Sequence, residues 1–269
     1  MRTKHKNRKK VYIYSILVIS TLVALSAWKA YNIIYKPNIS ITEESYDFII
    51  PNEASVESIS KKLEREISVR NISEFKLLAQ ALNLKDHIYP GLYSLENNMN
   101  NKELVQLFRS GKQKTIQIHI PFSRYARDIM QHIAPDIRAS QENLMKLLVD
   151  NTYIDSLGFN RYTIICMFLQ DTYFFHWNTS AKDFFERMHR EYHKFWNKTR
   201  LQQAQEIGLT PTEIMTLASI VDQETIKNVE KSRIAGVYIN RLRKNIPLQA
   251  DPTVKYAVGD FELKRVRGD

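Results

Sequence analysis

Two carboxylates, Asp222 and Glu224, close the segment LASIVDQET (217–225) with no cluster of bases around them. On a helix turning about 100° per residue, Leu217, Ile220 and Val221 define one apolar face. Glu224 falls on that face, whereas Asp222 is turned about 160° away. A carboxylate among apolar groups at a helix C-terminus is disfavoured as an anion by desolvation and by the helix dipole. Both effects favour the protonated form that a general acid needs near neutral pH. The plainer alternative is a helix that frays at Thr225 and leaves Glu224 in solvent. Two further groups have chemical potential. His189 and His193 stand at i and i+4, a spacing that could hold a metal, but they do not match H-E-x-x-H and no third ligand is evident. The single cysteine, Cys166, has no Cys/His pattern beside it and reads as a small buried apolar residue.

The elements that must position these groups are legible in part. LTPTEIMTLASIVDQET starts with Thr210 as N-cap, Pro211 at the first helical position and Glu213 closing a capping box. A second amphipathic helix is expected over about 230–244. A polar loop follows, Pro247-Leu248-Gln249-Ala250-Asp251-Pro252-Thr253, whose side chains suit a ligand rich in hydroxyls and amides or, equally, a solvent-facing turn. Upstream, AKDFFERMHREYHKFW places Phe185, Met188, Tyr192, Phe195 and Trp196 on one helical stripe. Before Pro121 the pattern differs. YDFIIP reads as a strand, and ASVESISKKLERE as a helix with Val56, Ile59 and Leu63 at helical spacing. ISEFKLLAQALNL is a further helix, YPGLYSL a turn and strand, NNKELVQLFRSG a helix stopped by Gly111, and TIQIHIP a strand. The fold class expected is α+β: a strand–helix–helix–strand unit followed by a mostly helical domain.

The chain has 269 residues, of which 43% are apolar, enough for a sizeable core. Its formal charge of +10 is lopsided, since the first ten residues hold six Lys or Arg and no acid. The remainder carries no Arg-rich stripe, which argues against nucleic acid. Seven glycines, with neither a Gly-rich phosphate loop nor G-x-S-x-G, argue against a nucleotide enzyme or a serine hydrolase. Residues 11–28 lack any charge, close to the roughly 20 residues a bilayer-spanning helix needs. Tyr12 and Tyr14 at one end and Trp28, Tyr31 and Tyr35 at the other suit the two interfaces. The reading is an uncleaved anchor, with a cleaved signal peptide as the rival. The basic tail is expected to stay in the cytoplasm, with everything after about Asn38 outside.

LASIVDQET, followed by RIAGVYINRLRKNIPLQADPTVKYAVG (233–259), resembles the pattern of the YceG-like family of membrane-anchored endolytic murein transglycosylases. In that family the text runs close to ASIVEKET, a helix with FxNRL, and LQTDPTV.YG. The resemblance implies a basic tail (1–10), a transmembrane anchor (11–35), a small LysM-like βααβ domain (36–121) and a catalytic domain (122–269). The family's EGYLFPDTY corresponds to residues 165–173, where Phe168 and the Asp171-Thr172-Tyr173 end remain while the Glu-Gly pair and the Pro are lost. Family members continue past the point matching Gly259 with a YNTY segment and a Pro-Pro-Gly turn. The expectation is therefore a catalytic domain whose C-terminal part is missing, as a fragment, a truncated product or a natural short form.

The resemblance also implies function: lytic cleavage of the MurNAc–GlcNAc β-1,4 bond in nascent peptidoglycan strands, with formation of 1,6-anhydro-MurNAc and termination of strand growth. Glu224 is the implied catalytic residue. Gln249, Asp251, Thr253, Asp171 and Thr172 are candidates for holding the sugar. No cofactor and no metal is expected. The implied partners are glycan strands and the synthases that make them, at the bacterial cytoplasmic membrane. The alternative is a non-catalytic, membrane-tethered peptidoglycan-binding protein or scaffold. A hydrolase would need a second acid, and Asp222, the nearest in sequence, points the wrong way.

Overall fold

The computed structural model describes residues 2–263, with side-chain environments from residue 12 onward. Met1 of the expected tail and residues 264–269 of the expected catalytic domain lie outside the described residues. The chain forms two compact units, one comprising 1–118, 135–139 and 173–180, the other 119–134, 140–172 and 181–269.

The first unit begins with α1 (Arg2–Tyr35), a single helix. Its stretch Tyr12–Tyr35 is long and apolar enough to cross a membrane, and none of it is buried within the protein. Short strand β1 (Ile39–Ser40) pairs with β3 (Ser68–Val69), and β2 (Ser45–Ile50) pairs antiparallel with β4 (Gly91–Glu96). Helices α2 (Val56–Glu66) and α3 (Ile72–Ala81) lie between β2 and β4 in sequence, so the expected strand–helix–helix–strand order is present. Helix α4 (Asn101–Ser110) and strand β5 (Thr115–His119) follow. Each helix is started by a side chain that satisfies otherwise unpaired backbone N–H groups: Ser55 for α2, Asn71 for α3 and Asn100 for α4. The stop at Gly111 is real, because this residue adopts φ 64°, the left-handed cap that glycine enters without steric cost. Gly91 is equally constrained, since at φ 153° a Cβ would stand 2.1 Å from Gln113 Oε1.

Phe108 is the hub of this core. Its ring centroid lies 5.8 Å from Phe48, 6.4 Å from Phe75 and 5.6 Å from Tyr93, and the last two meet it edge-on, as ring quadrupoles prefer. At the end of α1 the packing becomes polar. Asn38 and Asn101 are fully buried, and Asn38 Nδ2 donates to Asn101 Oδ1 at 2.6 Å. Asn101 Nδ2 donates to the Ile33 carbonyl at 2.8 Å, and Asn38 Oδ1 accepts the Asn71 N–H at 2.9 Å. Two amides thus tie the last turn of α1 to the starts of α3 and α4.

The second unit is mostly helical: α5 (Ala126–Ile133), α6 (Gln141–Val149), α7 (Asn151–Ser156) and a 3-10 turn at Ile164–Met167. Strand β6 (Thr172–His176), whose residues 173–176 belong to the first unit, pairs there with β5. Then come α8 (Ala181–Phe195), α9 (Lys198–Ile207), α10 (Pro211–Glu224), α11 (Asn228–Arg243) and α12 (Asp251–Val258). On α8 the buried stripe is Phe184, Phe185, Met188 and Tyr192, with Trp196 just beyond. Phe184 replaces the expected Phe195, which is only half-buried and carries the Arg200 guanidinium over its ring. The reason is Phe168, which stacks on Phe184 at 6.0 Å and meets Phe185 edge-on at 5.6 Å.

Replacing Asn101 by Ala leaves the Ile33 carbonyl without this donor and the Asn38 amide with only the Asn71 carbonyl, at 3.2 Å. Urea unfolding of the full chain in detergent should show a loss of about 1–3 kcal/mol, the cost of stranding buried polar groups. An unchanged midpoint would show that the amide pair contributes nothing.

Candidate active site

Helix α10 is built as its sequence implies. The Thr210 N–H donates to Glu213 Oε2 at 2.7 Å, and the Glu213 N–H donates to Thr210 Oγ1, closing the capping box. The Thr210 backbone and hydroxyl together hold the Glu213 carboxyl below the usual carboxylate range. Leu217 and Val221 are buried, and with half-buried Ile220 they pack against Tyr238 and Ile234 of α11 and Ala250 of the following loop. From the other side, Cys166 in the 3-10 turn lies beside Thr216 of the helix. Burial pushes the Cys166 thiol up, so it behaves as the packed, unreactive residue expected.

Glu224 is the last residue of α10 and shares the face of Leu217 and Val221, as the periodicity requires. Its surroundings differ from the expectation, because Glu224 is exposed rather than enclosed by apolar groups. Thr225 leaves the helix in an extended conformation, and the apolar cover reaches only as far as Val221. In place of an apolar wall stands the buried phenol of Tyr238, close enough to feel the Glu224 carboxylate. Burial first, then the neighbouring Glu224, push Tyr238 up to about 12. Asp251 adds to the shift and Arg241 opposes it. All three charged groups therefore act on one phenol.

The loop expected at 247–253 ends sooner. Asp251, Pro252 and Thr253 form the first turn of α12, where the fixed φ of proline is an advantage. The loop proper is held by Arg241, whose guanidinium donates to the Leu248 carbonyl, to the Pro247 carbonyl at 3.4 Å and to Gln249 Oε1 at 3.3 Å. Gln249 sits at φ 51°, a left-handed conformation that a non-glycine residue keeps only when its surroundings impose it.

The structure thus brings Glu224, Asp251 and Gln249 to one cluster around Tyr238 and Arg241. Thr253 stands beside it, but its hydroxyl donates to the Ala250 carbonyl at 2.7 Å and so serves the helix start. Asp171 and Thr172 stand at the start of β6. Asp171 Oδ1 accepts the Thr172 N–H at 2.7 Å, and the Thr172 hydroxyl lies 3.4 Å from His119 Nδ1. None of their described hydrogen bonds leads to Glu224. Asp222 is engaged by Lys231 of α11 at 2.5 Å. His189 and His193 approach each other, Nε2 to Nε2, at 2.9 Å, and His189 also bonds the Leu157 carbonyl. Burial, and then the neighbouring His193, hold His189 below its ordinary value. Among the described residues, no group of three or more His, Cys, Asp or Glu side chains could hold a metal.

Sequence reasoning missed Tyr238 and Arg241. The available signal was their i, i+3 spacing in YINRL, which sets a phenol and a guanidinium on neighbouring positions of one helix face. It also missed the aromatic group beside α10, where Tyr125 stacks on Tyr256 at 5.7 Å and Arg124 lies 4.3 Å above the Phe261 ring.

The YceG-like family model matches residues 48–268. An endolytic murein transglycosylase of Bacillus subtilis (strain 168) is 25% identical, covering 78% of this chain and 62% of its own length. One from Streptococcus pneumoniae (serotype 2, strain D39) is 24% identical, covering 93% of this chain and 50% of its own length. The chain therefore spans between half and two thirds of the length of these relatives. A crystal structure of a yceG-like protein from Listeria monocytogenes superposes with a TM-score of 0.48 at 24% identity, covering 83% of this chain and 78% of that one.

The Tyr238 phenol reports on the cluster. Its folded-state value is raised, so it contributes stability that is complete below the ordinary value of 10.0 and is lost as pH rises through about 12. In Glu224→Gln the phenol should titrate earlier, because a neighbouring negative charge is gone. NMR titration of ring-labelled tyrosines checks this; an unmoved Tyr238 would show that the two side chains do not interact.

Proposed function

Because the chain belongs to the YceG-like family, whose model matches residues 48–268, we propose that it is a membrane-anchored lytic transglycosylase that cuts nascent peptidoglycan strands internally. The observation that carries the reading is the placement of Glu224: one carboxylate at the end of a well-capped helix, beside a buried phenol and flanked by the Arg241-held loop.

The chemistry needs one acid in two roles. As the carboxylic acid, Glu224 protonates the oxygen of the β-1,4 bond between N-acetylmuramic acid and N-acetylglucosamine, and the C1–O bond breaks. The muramic ring passes through an oxocarbenium-like state. The carboxylates of Glu224 and Asp251 favour the positive charge developing there, and the substrate's 2-acetamido carbonyl helps stabilise it. Glu224, now a carboxylate, takes the proton from the muramic C6 hydroxyl. That oxygen attacks C1, closes the 1,6-anhydro ring and returns Glu224 to its acid form. No water enters, so no second acid is required to activate one. This agrees with Asp222 being occupied by Lys231.

Gln249 and Asp251 are the residues best placed to hold the sugar, with Thr253, Asp171 and Thr172 as further candidates. The small strand–helix–helix–strand unit is read as LysM-like, spacing the site from α1 or gripping the strand. With six basic residues before the apolar run, the N-terminus faces the cytoplasm and the chain after about Asn38 lies outside. Strands are then met where synthases release them.

The test is a digest of uncrosslinked, nascent peptidoglycan by the full chain in detergent, read by mass spectrometry. Anhydro-ended fragments are expected, and Glu224→Gln should lower their yield roughly 10²–10⁴-fold, the contribution of a positioned general acid–base. Asp222→Asn removes an exposed ion pair worth no more than about 1 kcal/mol and should leave cleavage within the same order of magnitude. Fragments with reducing ends would identify a hydrolase. No cleavage by a folded chain would leave a tethered glycan-binding protein.

A further inference from the structure

A cavity of about 440 Å³ opens in the second unit where α5, α6 and the loop before the 3-10 turn meet. Its floor is apolar, from Met145, Leu148 and Ile164, and its rim carries Arg127, Arg161 and the amide of Asn151. None of the lining residues is acidic. Arg127 is held 4.7 Å over the Tyr125 ring and Arg161 4.5 Å over the Tyr162 ring, contacts that fix both guanidiniums while leaving N–H donors for a ligand. Arg127 has a neighbouring carboxylate in Asp128 at 3.4 Å; among the described residues Arg161 has none.

The cavity adjoins the elements that hold Glu224. Tyr125, part of its lining, stacks on Tyr256 of α12. Arg124, one residue earlier, donates to Gln223 Oε1 at 3.4 Å, and Gln223 precedes Glu224. Arg124 and Tyr125 thus link the end of α10 to the cavity lining.

We propose that the cavity rimmed by Arg127 and Arg161 binds the carboxylate-bearing peptide branch of the glycan strand. The proposal rests on the lytic reading above. The sugar whose C1 is attacked carries a lactyl-linked peptide, so that branch must lie beside Glu224 during cleavage. Its chemistry fits the lining at three points: planar guanidinium forks pair with carboxylates, Asn151 suits a peptide amide, and the apolar floor suits methyl side chains. A polyphosphate or nucleic-acid ligand would call for the cations without the apolar floor.

The test is binding, independent of cleavage. Muramoyl pentapeptide and the same compound with its terminal carboxylate amidated are titrated into the full chain in detergent. The free acid should bind roughly tenfold more tightly, as expected for one charge-assisted pair. The double variant Arg127→Gln/Arg161→Gln should erase that preference, and the double Lys variant should restore part of it by keeping the charges. Equal affinity for both compounds, or a preference that survives in the Gln variant with intact thermal unfolding, overturns the assignment. A chain that shows the preference but cuts no strand refutes the lytic reading and supports the cavity's role. One that cuts strands but shows no preference does the reverse.

Discussion

The candidate site depends on one packing event: the burial of Leu217 and Val221 of α10 against Tyr238 and Ala250. At roughly 1.5–3 kcal/mol per buried aliphatic side chain, this contact outweighs any single polar interaction nearby. It fixes the rotation of α10, and with it the direction of Glu224 one turn later. It also buries the ring of Tyr238 while leaving the hydroxyl able to reach the carboxylate. The polar groups then refine what the apolar contact has set. Arg241 pins the loop carbonyls, and Gln249 keeps a left-handed conformation that it would not hold alone.

The first unit follows a different logic. Its core is assembled around the Phe108 ring, yet the fully buried amides of Asn38 and Asn101 take over where α1 ends. Apolar side chains there would bury as well, but they would not specify which turn of α1 meets which helix start. Amides do, because each donor must find its acceptor or cost about 1–3 kcal/mol. For a helix apolar enough to cross a membrane, that geometry defines how the chain leaves it.

What could be read from the sequence was local. The N-cap and capping box of α10, its apolar face, the strand–helix–helix–strand order and the stop at Gly111 all follow from neighbours within a few positions, and all are present. What could not be read was set by distant residues. The periodicity put Glu224 on the correct face but gave no account of what covers that face beyond Val221. On α8, Phe184 and Phe195 compete for one stripe, and Phe168, sixteen residues before Phe184, decides between them. The loop grip of Arg241 was hidden because it requires the backbone of Pro247–Gln249 to turn its carbonyls inward. Asp171 and Thr172 were joined to the site by resemblance alone, and the bond of Thr172 to His119 could not be foreseen from the sequence.

The central claim is that one carboxylate, Glu224, breaks the glycosidic bond with the substrate's own hydroxyl as nucleophile. Digestion of nascent strands in ¹⁸O-labelled water tests it directly, since a hydrolytic cut places one solvent oxygen on the new muramic end and an intramolecular one places none. The account predicts ends that carry no label. One heavy oxygen per cut would contradict it and identify a hydrolase.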